Sequence, residues 1–139
     1  MGIIINNELR NYIEEIEPIN DRIMSITLAG TVPVTIICNY TPTATATFEE
    51  QIEHYTLLKK NQTKHQSKGP TYTLGDFNAR IERKLSETET PVGPHTLDKE
   101  NLTIQEDNVR ESREIFISHC IDTKCMIMTT FFSKNQTKN

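Results

Sequence analysis

Residues 75–79, Gly-Asp-Phe-Asn-Ala, place a carboxylate and a carboxamide two positions apart, just after a short strand-like run, Thr71–Leu74. Side chains at i and i+2 share one face of a strand, so Asp76 and Asn78 are expected to point into one pocket. The pair suits a phosphate site. Asp76 supplies negative charge and acceptor oxygens, and Asn78 supplies an NH₂ donor for a phosphoryl oxygen. Gly75 permits a turn with φ > 0. The same residues are also a common turn composition, because Asp and Asn bond their own backbone. Composition alone leaves both readings open.

Gly75–Ala79 resembles the signature of the endonuclease/exonuclease/phosphatase superfamily, the DNase-I-like fold. A second block, Ile36-Ile37-Cys38-Asn39-Tyr40-Thr41-Pro42-Thr43, looks like that family's strand ending in Tyr-x-Pro. Val92–Leu97, with its Gly-Pro-His, continues the match. So do Asn108–Phe116, with Asn-x-x-Glu-x-x-x-x-Phe, and Met126–Phe132. In this order the blocks look most like the endonuclease domain of non-LTR (LINE-type) retrotransposons, also carried by craniofacial-development-protein-2-like proteins.

The resemblance implies an α+β fold. Its mixed, mostly antiparallel sheet with packed helices would be part of a four-layer α/β/β/α sandwich. It implies metal-dependent phosphodiester hydrolysis on DNA, with Mg²⁺ or Mn²⁺ polarising the phosphate. In that scheme Asp76 orients or deprotonates the attacking water, Asn78 positions the phosphate, and Tyr40 lines the pocket. Lys68, Arg80 and His95 are the substrate-binding candidates. The family's upstream metal-binding Glu and its Ser-Asp-His segment have no counterpart among these 139 residues. The chain is therefore expected to be a single truncated domain, 1–139, without its first and last strands and inactive on its own. That leaves sheet edges and apolar surface uncovered. An alternative is a non-catalytic retrotransposon remnant with weak nucleic-acid binding. A third, a phosphatase, fits the Gly-Pro-His and Asn-x-x-Glu blocks less well.

Hydrophobic residues make up 35% of the chain, Trp is absent, and the net charge is −4. Mean hydropathy is −0.52, polar for a compact α/β domain. A net negative chain is no general nucleic-acid coat, but its charge is uneven. Residues 59–84 hold Lys59, Lys60, Lys64, Lys68, Arg80, Arg83 and Lys84 against Asp76 and Glu82. This stretch either neutralises a nucleic-acid backbone beside the Gly-Asp-Phe-Asn block or is a solvated run of lysines. No apolar run is long enough to span a membrane, and no leader pattern opens the chain. An intracellular setting, nuclear or cytoplasmic, is expected, with Cys38, Cys120 and Cys125 as free thiols. No obligate protein partner is inferred. His119, Cys120 and Cys125 lack the second ligand pair of a structural zinc site. Three Asn-x-Thr sequons, at Asn61, Asn101 and Asn135, are accidental without secretion.

These candidates need elements to position them. Strands are expected at Gly2–Asn6, Tyr12–Ile16, where the Glu pair also suits a helical turn, Met24–Leu28 and Val34–Tyr40, the last two as an antiparallel hairpin turning at Ala29-Gly30. Thr47-Phe48-Glu49-Glu50 reads as a capping box. The helix it opens should bury Phe48, Ile52, Tyr55 and Leu58 and end near Lys60, with loop over Gln62–Gly69. Residues 79–107 read as a long loop broken by Pro91, Gly93 and Pro94. Asn108 is a cap candidate for a second helix burying Val109, Ser112, Phe116 and His119–Cys120. Cys125–Phe132 reads as a closing strand, with Phe131 and Phe132 on opposite faces.

Overall fold

The computed structural model describes residues 2–96 and 107–133, and the fold is α+β. The chain divides into two compact units, Met1–Asn78 and Ala79–Asn139. In the first unit, strands β1 (Ile13–Pro18), β2 (Ile23–Leu28), β3 (Val34–Tyr40) and β4 (Thr71–Asp76) form one mixed sheet in that order. The β1–β2 and β2–β3 pairs are antiparallel, and β3–β4 is parallel. A parallel pair needs a long crossover, here supplied by helix α1 (Phe48–Gln66). Gly2–Asn6 is not a strand. Asn6 instead caps a 3-10 turn over Asn7–Tyr12, its side chain accepting from the Glu8 N–H.

The Thr47 capping box forms as the sequence predicts. Thr47 Oγ1 accepts from Glu50 N at 3.2 Å, and the Glu50 carboxylate accepts from Thr47 N at 2.8 Å. Thr47→Ala is expected to lower stability by ~1 kcal/mol, read by denaturant unfolding. The helix then runs past Lys60 to Gln66. Its last turns are held by polar tertiary bonds: Gln62 Nε2 to Thr73 Oγ1 at 2.9 Å, and His65 Nε2 to Glu17 Oε2 at 3.1 Å.

The buried stripe of α1 also differs from the apolar one expected. Tyr55 and Leu58 are buried, but Phe48 and Ile52 are exposed. Gln51, His54, Asn61, Gln62 and His65 fill the remaining buried positions. They recur at the three- and four-residue spacing of one helix face. The strands answer in kind. Ser25, Thr27, Thr35 and Asn39 are buried beside Ile23 and Ile37, and the Thr27 and Thr35 hydroxyls bond across β2–β3 at 3.0 Å. This polar interior accounts for much of the low hydropathy. Asn61 is buried in α1, so its sequon is closed to a glycan.

The other face of the sheet carries Ile16, Met24, Ile26, Leu28, Ile36, Cys38, Tyr72 and Leu74, by strand alternation. Ile16, Tyr72 and Leu74 on this face are each more than half exposed.

The second unit holds helix α2 (Asp107–Thr123). Asn108 lies inside this helix rather than ahead of it, its side chain accepting from the adjacent Val109 N–H. Ser112, Phe116, His119 and Cys120 are buried as their spacing predicts, and Val109 is half-buried. Arg113 joins them. Its guanidinium bonds Glu89 twice, at 2.7 and 2.8 Å, and the Arg83 carbonyl at 2.9 Å. Cys125–Phe132 is not a strand. Met128–Thr130 forms a 3-10 turn, and Thr130 accepts from the N–H groups of Gly93 and His95. Those local bonds satisfy the backbone that a ladder would otherwise pair. Phe132 is exposed and Phe131 half-buried. Residues 79–96 form irregular loop and turns, Asp107 belongs to α2, and residues 97–106, with Leu97 and Asn101, lie outside the described residues, as does Asn135. Among the described residues no helix is long and apolar enough to cross a membrane.

Candidate functional site

The candidate site lies at the C-terminal ends of the two parallel strands, where ligand sites in open α/β sheets commonly form. Tyr40, the last residue of β3, and Asp76, the last of β4, are register partners. Gly75 has φ +146°, a conformation L side chains rarely adopt, and packs against the Asn39 carbonyl. The chain then turns sharply. Asn78 has φ +46°, in the left-handed region that Asn tolerates.

Asp76 and Asn78 are therefore joined by a turn rather than by strand alternation. The Asn78 backbone N–H donates to Asp76 Oδ1 at 2.9 Å, and Asn78 Nδ2 donates to the Thr41 carbonyl at 2.6 Å. The Thr41 N–H donates to the Asp76 carbonyl at 2.9 Å. Two hydrogen bonds thus tie the two strand ends together, and the third holds the Asp76 side chain within the turn. One of the two Asn78 amide hydrogens is used on Thr41, which leaves the other for a ligand oxygen.

A residue not singled out in the sequence completes the arrangement. The Arg22 guanidinium carbon lies 5.3 Å from the Tyr40 ring centroid, a cation–π contact. The Tyr40 N–H donates to the Arg22 carbonyl at 2.9 Å, continuing the β2–β3 ladder. Arg22 was discoverable by register. Counting outward from Ile26↔Ile36 sets residue 22 opposite residue 40. Arg22, Tyr40 and Asp76 therefore stand side by side across three strands at one end of the sheet.

The other sequence candidates are placed differently. Lys68 is exposed and precedes the first residue of β4, so the length of that strand separates it from Asp76. Arg80 and His95 belong to the second unit. Arg80 pairs with Glu82 at 2.6 Å, and His95 is exposed, its backbone N–H on the Thr130 carbonyl at 2.8 Å. The basic run is also partly neutralised. Lys64 pairs with Glu17 and Glu15, and Lys84 with Glu87.

A hard cation such as Mg²⁺ takes oxygen ligands and commonly binds through one or two carboxylates plus substrate phosphate. The Asp76 turn offers one carboxylate. It is in no cluster of three potential ligands among the described residues. That donor set fits a cation arriving with a phosphate ligand, not a resident one. Among the described residues the one cluster of donors lies elsewhere, in Glu15, Glu17 and His65, whose ligand atoms fall within 4.8 Å of one another. Its carboxylates already hold a cation, since Lys64 Nζ is 2.7 Å from Glu17 and 3.4 Å from Glu15. The Lys64 hydrogen bond is the main cause holding the Glu17 carboxyl below its ordinary range.

His54 lies behind the site, in α1. Burial, followed by the positive charge of Arg22, pushes it down from 6.5 to about 4. A histidine buried neutral contributes stability that is complete above its unfolded value and is lost as pH falls through the window between 6.5 and about 4. The melting temperature is expected to fall between pH 7 and pH 4.5, and to fall less in His54→Gln, as read by circular dichroism.

No family model matches the chain, and neither a curated protein nor a solved structure matches it.

Proposed function

We propose that this chain carries the phosphate-handling half of a metal-dependent, DNA-nicking endonuclease site of the endonuclease/exonuclease/phosphatase kind. The observation that carries the reading is the row Arg22–Tyr40–Asp76 at one end of the sheet, with Asn78 pinned beside it. Arg22 supplies a forked cation for a phosphodiester oxygen pair. The free N–H of Asn78 and the Tyr40 hydroxyl donate to phosphoryl oxygens. Asp76 orients the attacking water and accepts its proton. Bound Mg²⁺ or Mn²⁺ supplies Lewis-acid polarisation of the phosphate.

The apolar outer sheet face, with Ile16, Tyr72 and Leu74 exposed, supports membership of a two-sheet sandwich, because such a face packs against a second sheet. Action on DNA assigns the protein to the nucleus or cytoplasm. A second reading, a non-catalytic nucleic-acid-binding descendant of such an enzyme, is favoured by the single carboxylate at the site.

Nicking of supercoiled plasmid by the purified chain, with Mg²⁺, Mn²⁺ or EDTA, tests the reading. Metal-dependent nicking that falls by ~10²–10³-fold in Asp76→Ala would show that these residues suffice without the family's missing Glu and His. Folded protein that nicks no better than Asp76→Ala sinks the hydrolytic reading. Binding to DNA, weakened in Arg22→Ala, would then support the non-catalytic one.

A further inference from the structure

We infer that His54 is a positioning residue for the Asp76–Asn78 turn, acting from the helix through Asn39 and Thr41. A continuous buried chain of hydrogen bonds joins them. His54 Nε2 meets Asn39 Oδ1 at 2.9 Å, and Asn39 Nδ2 donates to Thr41 Oγ1 at 2.8 Å. The Thr41 carbonyl accepts from Asn78 Nδ2 at 2.6 Å, while its N–H donates to the Asp76 carbonyl at 2.9 Å. His54, Asn39 and Thr41 are each 5% exposed or less, so water does not compete for the His54–Asn39 and Asn39–Thr41 bonds.

The chain has a direction. A carboxamide oxygen only accepts, so His54 carries its proton on Nε2. Holding that oxygen turns the Asn39 NH₂ toward Thr41. The opposite orientation of Asn39 would require the Nδ1–H tautomer of His54, with Nε2 accepting from the NH₂ and the Thr41 hydroxyl donating to the carbonyl, so the His54 tautomer and the Asn39 orientation go together. With its proton on Nε2, His54 thereby selects one orientation of Asn39, and Asn39 fixes the Thr41 peptide on which both strand-end bonds converge. Gly75 lets the Asn39 backbone approach the turn closely enough for this to work. Small displacements of such groups cost large factors in rate, so site residues are commonly held by a second layer of hydrogen bonds.

The role in catalysis rests on the proposed nuclease reading, but the coupling is measurable without activity. Hydrogen exchange by NMR on the full chain compares His54→Leu, Thr41→Val and His54→Gln with wild type. Leucine fills space without a donor, valine keeps the shape of threonine without its hydroxyl, and the glutamine amide can replace Nε2–H. Exchange of the Thr41 backbone N–H is expected to quicken about tenfold in His54→Leu and Thr41→Val, the scale of one net hydrogen bond. The Asn78 side-chain resonances should shift with it. Exchange in the central ladder at Ile26 and Ile36 should quicken less, and His54→Gln should restore the wild-type pattern. Uniform quickening across the sheet, no change at Thr41, or failure of His54→Gln to restore it would overturn the inference. Should His54→Leu fail to fold, Thr41→Val alone decides by the same criteria. Absence of plasmid nicking by wild type would sink the nuclease reading and leave the exchange result standing.

Discussion

Gly75→Ala is expected to destabilise the first unit by ~3 kcal/mol, with the loss visible as a lower denaturant midpoint and early exchange of β3 and β4 amides. Two effects add. The backbone at φ +146° disfavours any residue with a Cβ, at ~1–2 kcal/mol. The new methyl would also overlap the Asn39 carbonyl oxygen and crowd the Asn39 carbon, which are backbone atoms with little room to give. Overpacking of this kind costs a further ~1–3 kcal/mol. The consequence reaches the site directly. Relief of the overlap requires β4 to part from β3 just where Tyr40 and Asp76 pair. If the proposed nuclease reading holds, DNA binding should fall with stability. Gly2→Ala is the matched control, because a Cβ there meets nothing within 4 Å. A midpoint for Gly75→Ala equal to that of Gly2→Ala would refute the argument.

Arg113→Leu should destabilise the second unit by about 3–5 kcal/mol, the usual cost of breaking a buried ion pair from one side. Arg113 and Glu89 side chains are 5% and 12% exposed, and the guanidinium makes three hydrogen bonds. Leucine recovers the packing of the alkyl stem but strands the Glu89 carboxylate without its cation. The double variant Glu89→Leu with Arg113→Leu should regain most of the loss, because replacing both partners by apolar groups is often neutral. The pair also predicts an acid response. The Arg113 hydrogen bonds hold the Glu89 carboxyl below its ordinary 4.5, with the Leu85 N–H contributing. A carboxyl lowered in the folded state contributes stability that is complete above its unfolded value. That contribution is lost as pH falls through the lowered folded value. Amide exchange in α2 should therefore quicken below about pH 4.5 in wild type and stay flat over that range in the double variant. Equal acid sensitivity in both proteins would remove Glu89 as the cause.

The strands and helices of this protein were largely written in local pattern. Alternation of Met24, Ile26 and Leu28 and the β-branched run Val34–Ile37 marked the hairpin, and Thr47 with Glu50 marked the start of α1. Such signals depend on neighbours within a few positions, so they survive without knowledge of the fold. The short apolar runs Gly2–Asn6 and Cys125–Phe132 lacked that support. Apolar composition without a pairing partner does not make a strand, and both became 3-10 turns or irregular chain.

The interior obeyed a different logic. Hydropathy predicted an apolar stripe on α1, yet Gln51, His54, Gln62 and His65 are buried because Asn39, Thr73 and Glu17 wait opposite some of them. A polar residue is acceptable inside only when its partner is supplied, and these partners lie 11 to 48 positions away in sequence. The same holds at the site. The sequence by itself named Asp76 and Asn78 through their types and spacing, and Tyr40 through the family resemblance. Only the tertiary structure set Tyr40 beside Asp76, stacked Arg22 on Tyr40, and left Lys68 at the far end of β4. Residue type decides what a side chain can do. Strand order and register decide what it stands next to, and those are settled by contacts between segments distant along the chain.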